Sequence, residues 1–182
     1  MANNISFLPK RGKTDDGKQL RLCPLAHTKG RTIYCTRDGE FFSRRWVKDS
    51  ITGIGQWRFM PLKPQRFAAF KRHEHVHSAY PYVGSSRGVT CHMLVALTWL
   101  GPRPTFVCKS KTVLAECDHI NGNILDWRAS NLQWVTPAEN RRRARILRTL
   151  RQSGFDPTTR TAEELLTLFN INNVAGDVYA GE

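Results

Sequence analysis

The sequence lacks paired cysteines at close spacing, long apolar runs and an apolar leader segment. Without a C-x-x-C pair, ligand spacing gives no support to a structural zinc site. The longest apolar run, MLVALTWLG, is far shorter than the ~20 residues of a transmembrane helix. The first residues, MANNISFLPKRGK, contain no secretory apolar region. We therefore expect a cytoplasmic protein with no membrane partner.

Cysteines are odd in number and scattered, at positions 23, 35, 91, 108 and 117. In a reducing compartment this arrangement favours buried free thiols over a disulfide framework. Cys108 and Cys117 could instead combine with other side chains around a metal, although the spacing does not indicate it.

Acidic residues are scarce over most of the chain. There are 28 Lys and Arg against 15 Asp and Glu, but residues 155–182 hold five of the acids and one Arg. The remaining 154 residues therefore carry 27 bases and 10 acids, a net charge of +17. Such a surplus favours a polyanion as partner, because Lys and Arg release counterions from phosphates. We expect nucleic acid; the alternative is a protein that its charge merely keeps soluble.

The first half of the chain is rich in strand signals. TIYCTRDGEFFSRRW, residues 32–46, has two β-prone runs around Asp-Gly, which predicts a hairpin. QWRFM favours a further strand, and residues 66–83 are interpreted as strand and loop. His73, His75 and His77 fall on one face of that stretch, so they either form an exposed strand face, which we favour, or bind a metal.

The second half combines helices with two strands. Leucine spacing, ended by Gly101 and Pro102, predicts a helix over residues 92–100. One strand should end at Asp118 or His119, and another should lie near residues 132–135. Gly122 supplies backbone freedom for the loop between them, where the side chains of Asp118 and His119 can converge.

Helix starts are marked by Thr and Glu three residues apart. Thr136 as N-cap, Pro137 and Glu139 predict a helix from Pro137 to about Gln152. Thr161 and Glu164 predict a second helix, which should end near Phe169 and leave a disordered tail from Asn170.

Oxygen ligands and a histidine come together in this pattern. Asp118 and the amide oxygen of Asn140 suit a hard cation such as Mg²⁺, which needs only one or two protein ligands. His119, neutral near pH 7, can take a proton from an attacking water.

The stretch CDHINGNILDWRASNLQWVTPAEN resembles the HNH endonuclease motif of phage and intron homing endonucleases. The upstream segment CHMLVALTWLGPRP is similar to that family's first histidine segment, and IYCTRDGEFFS resembles the short DNA-binding hairpin that often precedes it. The resemblance is strong over residues 89–145 and weaker over 32–45. It leaves residues 1–30 and the tail unexplained.

This resemblance implies a role for each matched position. His119 matches the general base, Asp118 and Asn140 match the metal ligands, and Asn131 matches the Asn that ties the loop together and orients the His. His92 matches a histidine that we treat as structural.

Two positions depart from the family pattern. Trp127 replaces an Asn of the loop and is interpreted either as core or as stacking on nucleic acid. Met93 replaces an Arg, so a phosphate contact is missing there.

An arginine-rich run follows the last motif position. Six Arg lie between 141 and 151, and either form a solvated helix face or contact phosphates; we favour phosphate contacts for Arg141, Arg142, Arg145 and Arg148.

We therefore expect an α+β protein that acts as a metal-dependent DNA endonuclease with one divalent ion, Mg²⁺ or alternatively Mn²⁺. Its expected parts are a basic arm or irregular lead-in (1–30), a β-rich DNA-binding region (31–88), an HNH ββα-metal module (89–152) and a short helix with an acidic tail (153–182). The alternative is a non-catalytic nucleic-acid-binding protein or assembly component that keeps the fold, with a protein partner docked on the acidic tail. The sequence does not indicate an oligomeric state.

Overall fold

A computed structural model describes residues 9–24, 32–65, 80–83, 90–108 and 110–177 of the protein. Within these ranges the chain is α+β, as expected, with nine strands and three α-helices. It forms two compact units: Met1–Pro102 with Trp127–Ala129, and Arg103–Asp126 with Ser130–Glu182. The predicted His73, His75 and His77 row lies outside the described residues.

The first unit is built on a curled antiparallel sheet of five strands in sequence order. Its strands are β1 (Arg11–Lys13), β2 (Gln19–Leu22), β3 (Ile33–Cys35), β4 (Phe41–Lys48) and β5 (Gly55–Leu62). Phe59 of β5 packs against Gly12 of β1 and forms a T-shaped pair with the Tyr34 ring, so the two outer strands approach each other. Leu20, Ile33 and Phe41 are buried in this unit.

Both Asp-Gly pairs of this region lie in hairpin turns. The predicted hairpin is confirmed as β3 and β4, which pair Ile33 with Ser43 across a turn where Gly39 has φ +84°. The expected strand QWRFM is confirmed within β5. Residues 11–22 differ from the irregular lead-in that we expected, because β1 and β2 pair around Gly17, which has φ +85°. Asp16-Gly17 is the same turn signal as Asp38-Gly39, with shorter strands on either side.

Helix α1 (Cys91–Trp99) lies within one residue of its predicted position at both ends. It packs against β2 and β3, and buries Leu94, Val95 and Cys91. Burial raises the pKa of the Cys91 thiol to about 12. Cys23 and Cys35 are also buried and free, whereas Cys108 and Cys117 are partly exposed and free.

The second unit contains two strand pairs and two helices. β6 (Thr105–Cys108) pairs with β7 (Lys111–Leu114), and β8 (Glu116–His119) pairs with β9 (Leu132–Val135). Helices α2 (Pro137–Gln152) and α3 (Ala162–Asp177) follow. A core of Ile120, Leu147, Leu165 and Phe169 joins the loop after β8 to both helices.

The helix caps follow the predicted chemistry. Thr136 Oγ1 accepts from the Glu139 amide at 3.1 Å, and α2 has the predicted bounds. At α3, Thr161 and Glu164 each accept the other's backbone amide, which is a complete capping box. The predicted end near Phe169 is wrong, because α3 continues to Asp177, so residues 170–177 are helical; residues 178–182 lie outside the described residues. Residues 170–175 contain neither Pro nor Gly, so nothing in them breaks a helix.

Gly39 and Gly17 provide a matched test of how tightly the first unit is packed. Both have positive φ, but a Cβ at Gly39 would overlap the ring of Trp127, whereas a Cβ at Gly17 meets nothing within 4 Å. We expect Gly17→Ala to lower the free energy of unfolding by about 1 kcal/mol through backbone strain alone. Gly39→Ala should cost at least twice as much, since it adds a steric clash. Urea denaturation of both variants measures the difference, and equal losses would contradict the packing.

Candidate functional site

The candidate site lies on β8 and the first two turns of α2. Glu116 and Asp118 are two residues apart in β8, so their side chains share one strand face. Asn140 and Arg143 of α2 reach these two carboxylates. Because Thr136 caps α2 directly after β9, the helix start is held close to the strand pair.

Asp118 is a buried carboxylate with two polar neighbours. Gln133, its partner across the strand pair, donates to Oδ2 at 2.9 Å, and Arg143 Nη1 lies 3.6 Å from the same oxygen. Burial raises the pKa of Asp118 to about 6, although Arg143 and Gln133 oppose the shift. At pH 7 the side chain is still ionised, as a cation ligand must be.

His119 is buried and electrically neutral. The residue is 6% exposed, and burial lowers its pKa to about 4, with Asp126 acting in the opposite direction. The ring therefore holds no net charge at pH 7 and can accept a proton. β8 stays paired through His119, a position whose side chain ordinarily faces away from that of Asp118. The convergence of these two side chains stays a prediction.

Asn131 holds the loop between β8 and β9 together. Its Oδ1 accepts from the Asn121 amide at 3.0 Å, and its Nδ2 donates to Asn121 Oδ1 at 2.9 Å and to the Asp126 carbonyl at 2.8 Å. Asn121 in turn donates to the Asp126 carboxylate at 3.0 Å. The loop-tying contacts implied for Asn131 are thus present, in a residue that is 5% exposed.

Asn140 contacts a carboxylate that the sequence interpretation overlooked. Its Nδ2 donates to Glu116 Oε2 at 2.7 Å, and the amide oxygen is the atom left for a cation. Glu116 could have been found from its spacing, since residues two apart in a strand share a face with each other. Glu116, Asp118 and Asn140 together bring oxygen atoms to one end of β8 and α2.

Arg143 is the second residue that was overlooked. It is buried, donates to Glu139 Oε1 at 2.5 Å and stacks over the Phe169 ring at 5.0 Å. The Arg142 guanidinium, held on Glu139 by two bonds of 2.7 Å, is the largest cause that lowers the pKa of Glu139 to about 2. Arg143 differs from the other five arginines of the run only in its position around the helix, which brings it to both Asp118 and Glu139.

The other predicted phosphate contacts differ in exposure. Arg141, Arg145 and Arg148 are exposed on α2, whereas Arg142 is half-buried and also donates to the Phe169 carbonyl at 3.2 Å. Their contact with DNA stays a prediction. Arg142 would have to leave its ion pair with Glu139 to contact a phosphate.

His92 and Trp127 belong to the first unit. Thr90 Oγ1 lies 3.0 Å from His92 Nδ1, and the Tyr80 ring is 4.8 Å away. The Trp127 indole donates to the Gly39 carbonyl at 2.8 Å, so this residue braces the β3–β4 turn. This contact gives Trp127 a structural role at the position where the HNH motif has Asn.

The oxygen donors fit a hard cation by their chemistry. In the described part of the chain, no group of three or more His, Cys, Asp and Glu side chains converges as a metal site. Asp118 and the Asn140 amide are the expected pair, and Glu116 adds a carboxylate beside Asn140. Magnesium retains most of its waters, so one or two such ligands suffice.

Comparison with protein-family models, curated proteins and solved structures gives no match to this chain. The resemblance to HNH endonucleases therefore rests on the motif residues themselves. Among the described helices, none combines the length and apolar character required to cross a membrane.

Asp118 and His119 should give opposite pH dependences of stability. Between pH 4 and 6.5 the unfolded chain protonates His119 and the folded chain does not, so acid favours unfolding. Between pH 3.8 and 6 the folded chain protonates Asp118 and the unfolded chain does not, so acid favours folding. We expect stability to rise with pH over 4–6 in Asp118→Asn and to fall in His119→Gln, relative to the wild type. Urea midpoints in metal-free buffer measure both slopes, and parallel curves would contradict the assignment.

Asn131→Asp tests the loop network with almost no change of shape. The substitution keeps the accepting oxygen but removes the two donated bonds and places a carboxylate beside Asn121 Oδ1 and the Asp126 carbonyl. We expect a loss of roughly 2–4 kcal/mol in the free energy of unfolding, because buried acceptors are left unsatisfied. Asn123→Asp is the matched control, since its Oδ1 only accepts, from the Leu125 amide at 3.0 Å. Similar thermal midpoints for both variants would show that the network is not needed.

Proposed function

We propose that the protein is a metal-dependent DNA endonuclease of the HNH type. The observation that carries the proposal is the 2.7 Å contact between Asn140, on the first turn of α2, and Glu116 of β8, the short strand that also carries Asp118 and a neutral His119. Asp118, Asn140 and His119 stand at the positions that the motif assigns to metal ligands and general base. The Asn131 network supplies the rigid loop that such a site needs.

In this proposal Asp118 and Asn140 hold one divalent cation, Mg²⁺ or alternatively Mn²⁺. When bound, the ion supplies a positive charge that stabilises the scissile phosphate and the leaving 3′ oxygen. Glu116 accepts a hydrogen bond from Asn140 Nδ2, so the amide oxygen of Asn140 is the atom available to the cation.

His119 acts as the general base. A neutral imidazole accepts a proton from the water that attacks phosphorus, and burial ensures that the ring is neutral at pH 7. Asn131 is a positioning residue, because it fixes the loop that follows His119 through the Asn121 amide.

The DNA partner is supported by charge. Residues 1–154 carry a net charge of +17, and Arg141, Arg145 and Arg148 are exposed on the helix that carries Asn140. Basic side chains on such a helix suit contacts with phosphates on either side of a scissile bond.

A second candidate function is favoured by Arg143. Its guanidinium lies 3.6 Å from Asp118 Oδ2, where it supplies a built-in positive charge beside the expected ligand. A non-catalytic nucleic-acid-binding protein, or an assembly component that docks a partner on its acidic tail, would keep the fold with this pair permanently formed.

Cleavage of supercoiled plasmid separates the two candidates. We expect the wild type to nick or linearise DNA with Mg²⁺ or Mn²⁺, and His119→Ala to lower the rate by about 10²–10⁴-fold, the usual contribution of a general base. His92→Ala is the matched control, because it removes a histidine from the other unit.

Each outcome bears on one assignment. Equal loss in both variants would sink the role of His119 as base. A wild type that binds DNA but does not cut it at any metal concentration would favour the non-catalytic candidate.

A further inference from the structure

A two-stranded ribbon projects from the sheet of the first unit. Of the eight residues of β4, only Phe41–Ser43 pair with β3, whereas all eight pair with β5. The last five pairs, from Arg44–Phe59 to Lys48–Gly55, therefore extend past β3. We call residues 44–59 the ribbon; its paired part is about 16 Å long.

Two tryptophans stand opposite each other on the ribbon and are largely exposed. Trp46 and Trp57 form a cross-strand pair with ring centroids 5.4 Å apart and an interplanar angle of 71°. They are 57% and 54% exposed, although Trp is a residue that folded proteins usually bury. The Arg44 guanidinium lies 4.6 Å from the Trp57 ring, and Trp46 covers Gly55.

The tip of the ribbon presents two further apolar side chains. Ile51 is 93% exposed and Ile54 is 69% exposed. The Asp49 carboxylate accepts from the amides of Ile51 and Thr52 at 3.0 and 2.8 Å and from the Thr52 hydroxyl, so the turn that carries them is well ordered. Within the described residues these isoleucines contribute little to the core.

The charge of the ribbon indicates what kind of partner it fits. Residues 44–59 contain four basic residues and a single acid, Asp49, whose carboxylate is engaged in the turn. The basic residues are Arg44, Arg45, Lys48 and Arg58. This composition fits a polyanion and disfavours a purely apolar protein surface.

We propose that the ribbon binds double-stranded DNA by entering the major groove. That groove is about 12 Å wide and admits a two-stranded β-ribbon, with basic side chains on the flanking phosphates. Apolar side chains at the tip can contact thymine methyl groups. Single-stranded DNA fits less well, because Trp57 already contacts Arg44 and Trp46 already contacts Gly55, so each exposed ring offers less surface for a base to stack on.

This surface lies within the first unit and does not require the cleavage chemistry proposed for the second. Binding is therefore measured on the full chain in EDTA, where no cation can support cleavage. A protein that binds through the ribbon but never cuts would overturn the proposed function and leave this inference in place.

A matched pair of double variants tests the ribbon. Arg44→Gln with Arg58→Gln removes two charges from it, and Arg11→Gln with Lys13→Gln removes two exposed charges from β1. By fluorescence anisotropy with a short labelled duplex, we expect the ribbon variant to bind about tenfold or more weakly, with a salt slope lower by roughly 2. The β1 variant should change affinity by less than about threefold.

A second measurement uses only the wild-type chain. Methylation of guanine N7 in the duplex blocks the major-groove edge, and we expect it to weaken binding, whereas single-stranded DNA of equal length should bind more weakly than the duplex. Equal losses in the two double variants, indifference to N7 methylation, preference for the single strand, or no binding to duplex at low salt would each overturn the proposal.

Discussion

The buried amide of Asn131 is the interaction on which the candidate site depends. Its three hydrogen bonds join the two sides of the loop, through Asn121 and the Asp126 carbonyl, at a place where no regular ladder is available. A single planar amide with one acceptor and two donors satisfies backbone and side chain together. These bonds hold the loop in one arrangement, and β8 and β9 pair in register from His119–Leu132 onwards. That register places Gln133 opposite Asp118.

Helix α2 then brings its own side chains to the carboxylates of β8. Thr136 begins the helix one residue after β9, and successive turns bring Asn140 to Glu116 and Arg143 to Asp118. Phe169 of α3 packs under the Arg143 guanidinium and its carbonyl accepts from Arg142, so the second helix braces the first. Without α3, the guanidinium groups of Arg142 and Arg143 would lose these contacts. The helix predicted from the Thr161 cap thus supplies this supporting element.

Local signals in the sequence predicted more of the fold than of the site. The caps at Thr136 and Thr161 and the turn at Gly39 act through neighbours in the chain, so their effect is visible in the sequence. Contacts between α2 and β8 depend on which residues of the helix face the strand, and the sequence does not show this directly. Glu116 and Arg143 were overlooked for that reason, and the sequence alone joined Asn140 to Asp118 rather than to Glu116. Asp16-Gly17 was missed because its flanking strands are too short to alternate clearly.

Burial shifts the pKa values of Asp118 and His119 in opposite directions. It raises the pKa of Asp118 to about 6 and lowers that of His119 to about 4, because in each case the charged form loses its hydration. Above pH 6 the carboxylate is ionised and the imidazole is neutral, which are the states that a cation ligand and a proton acceptor need. Arg143 reduces the cost of the buried carboxylate without removing it. In the proposed function, a cation held by Asp118 would add to that compensation.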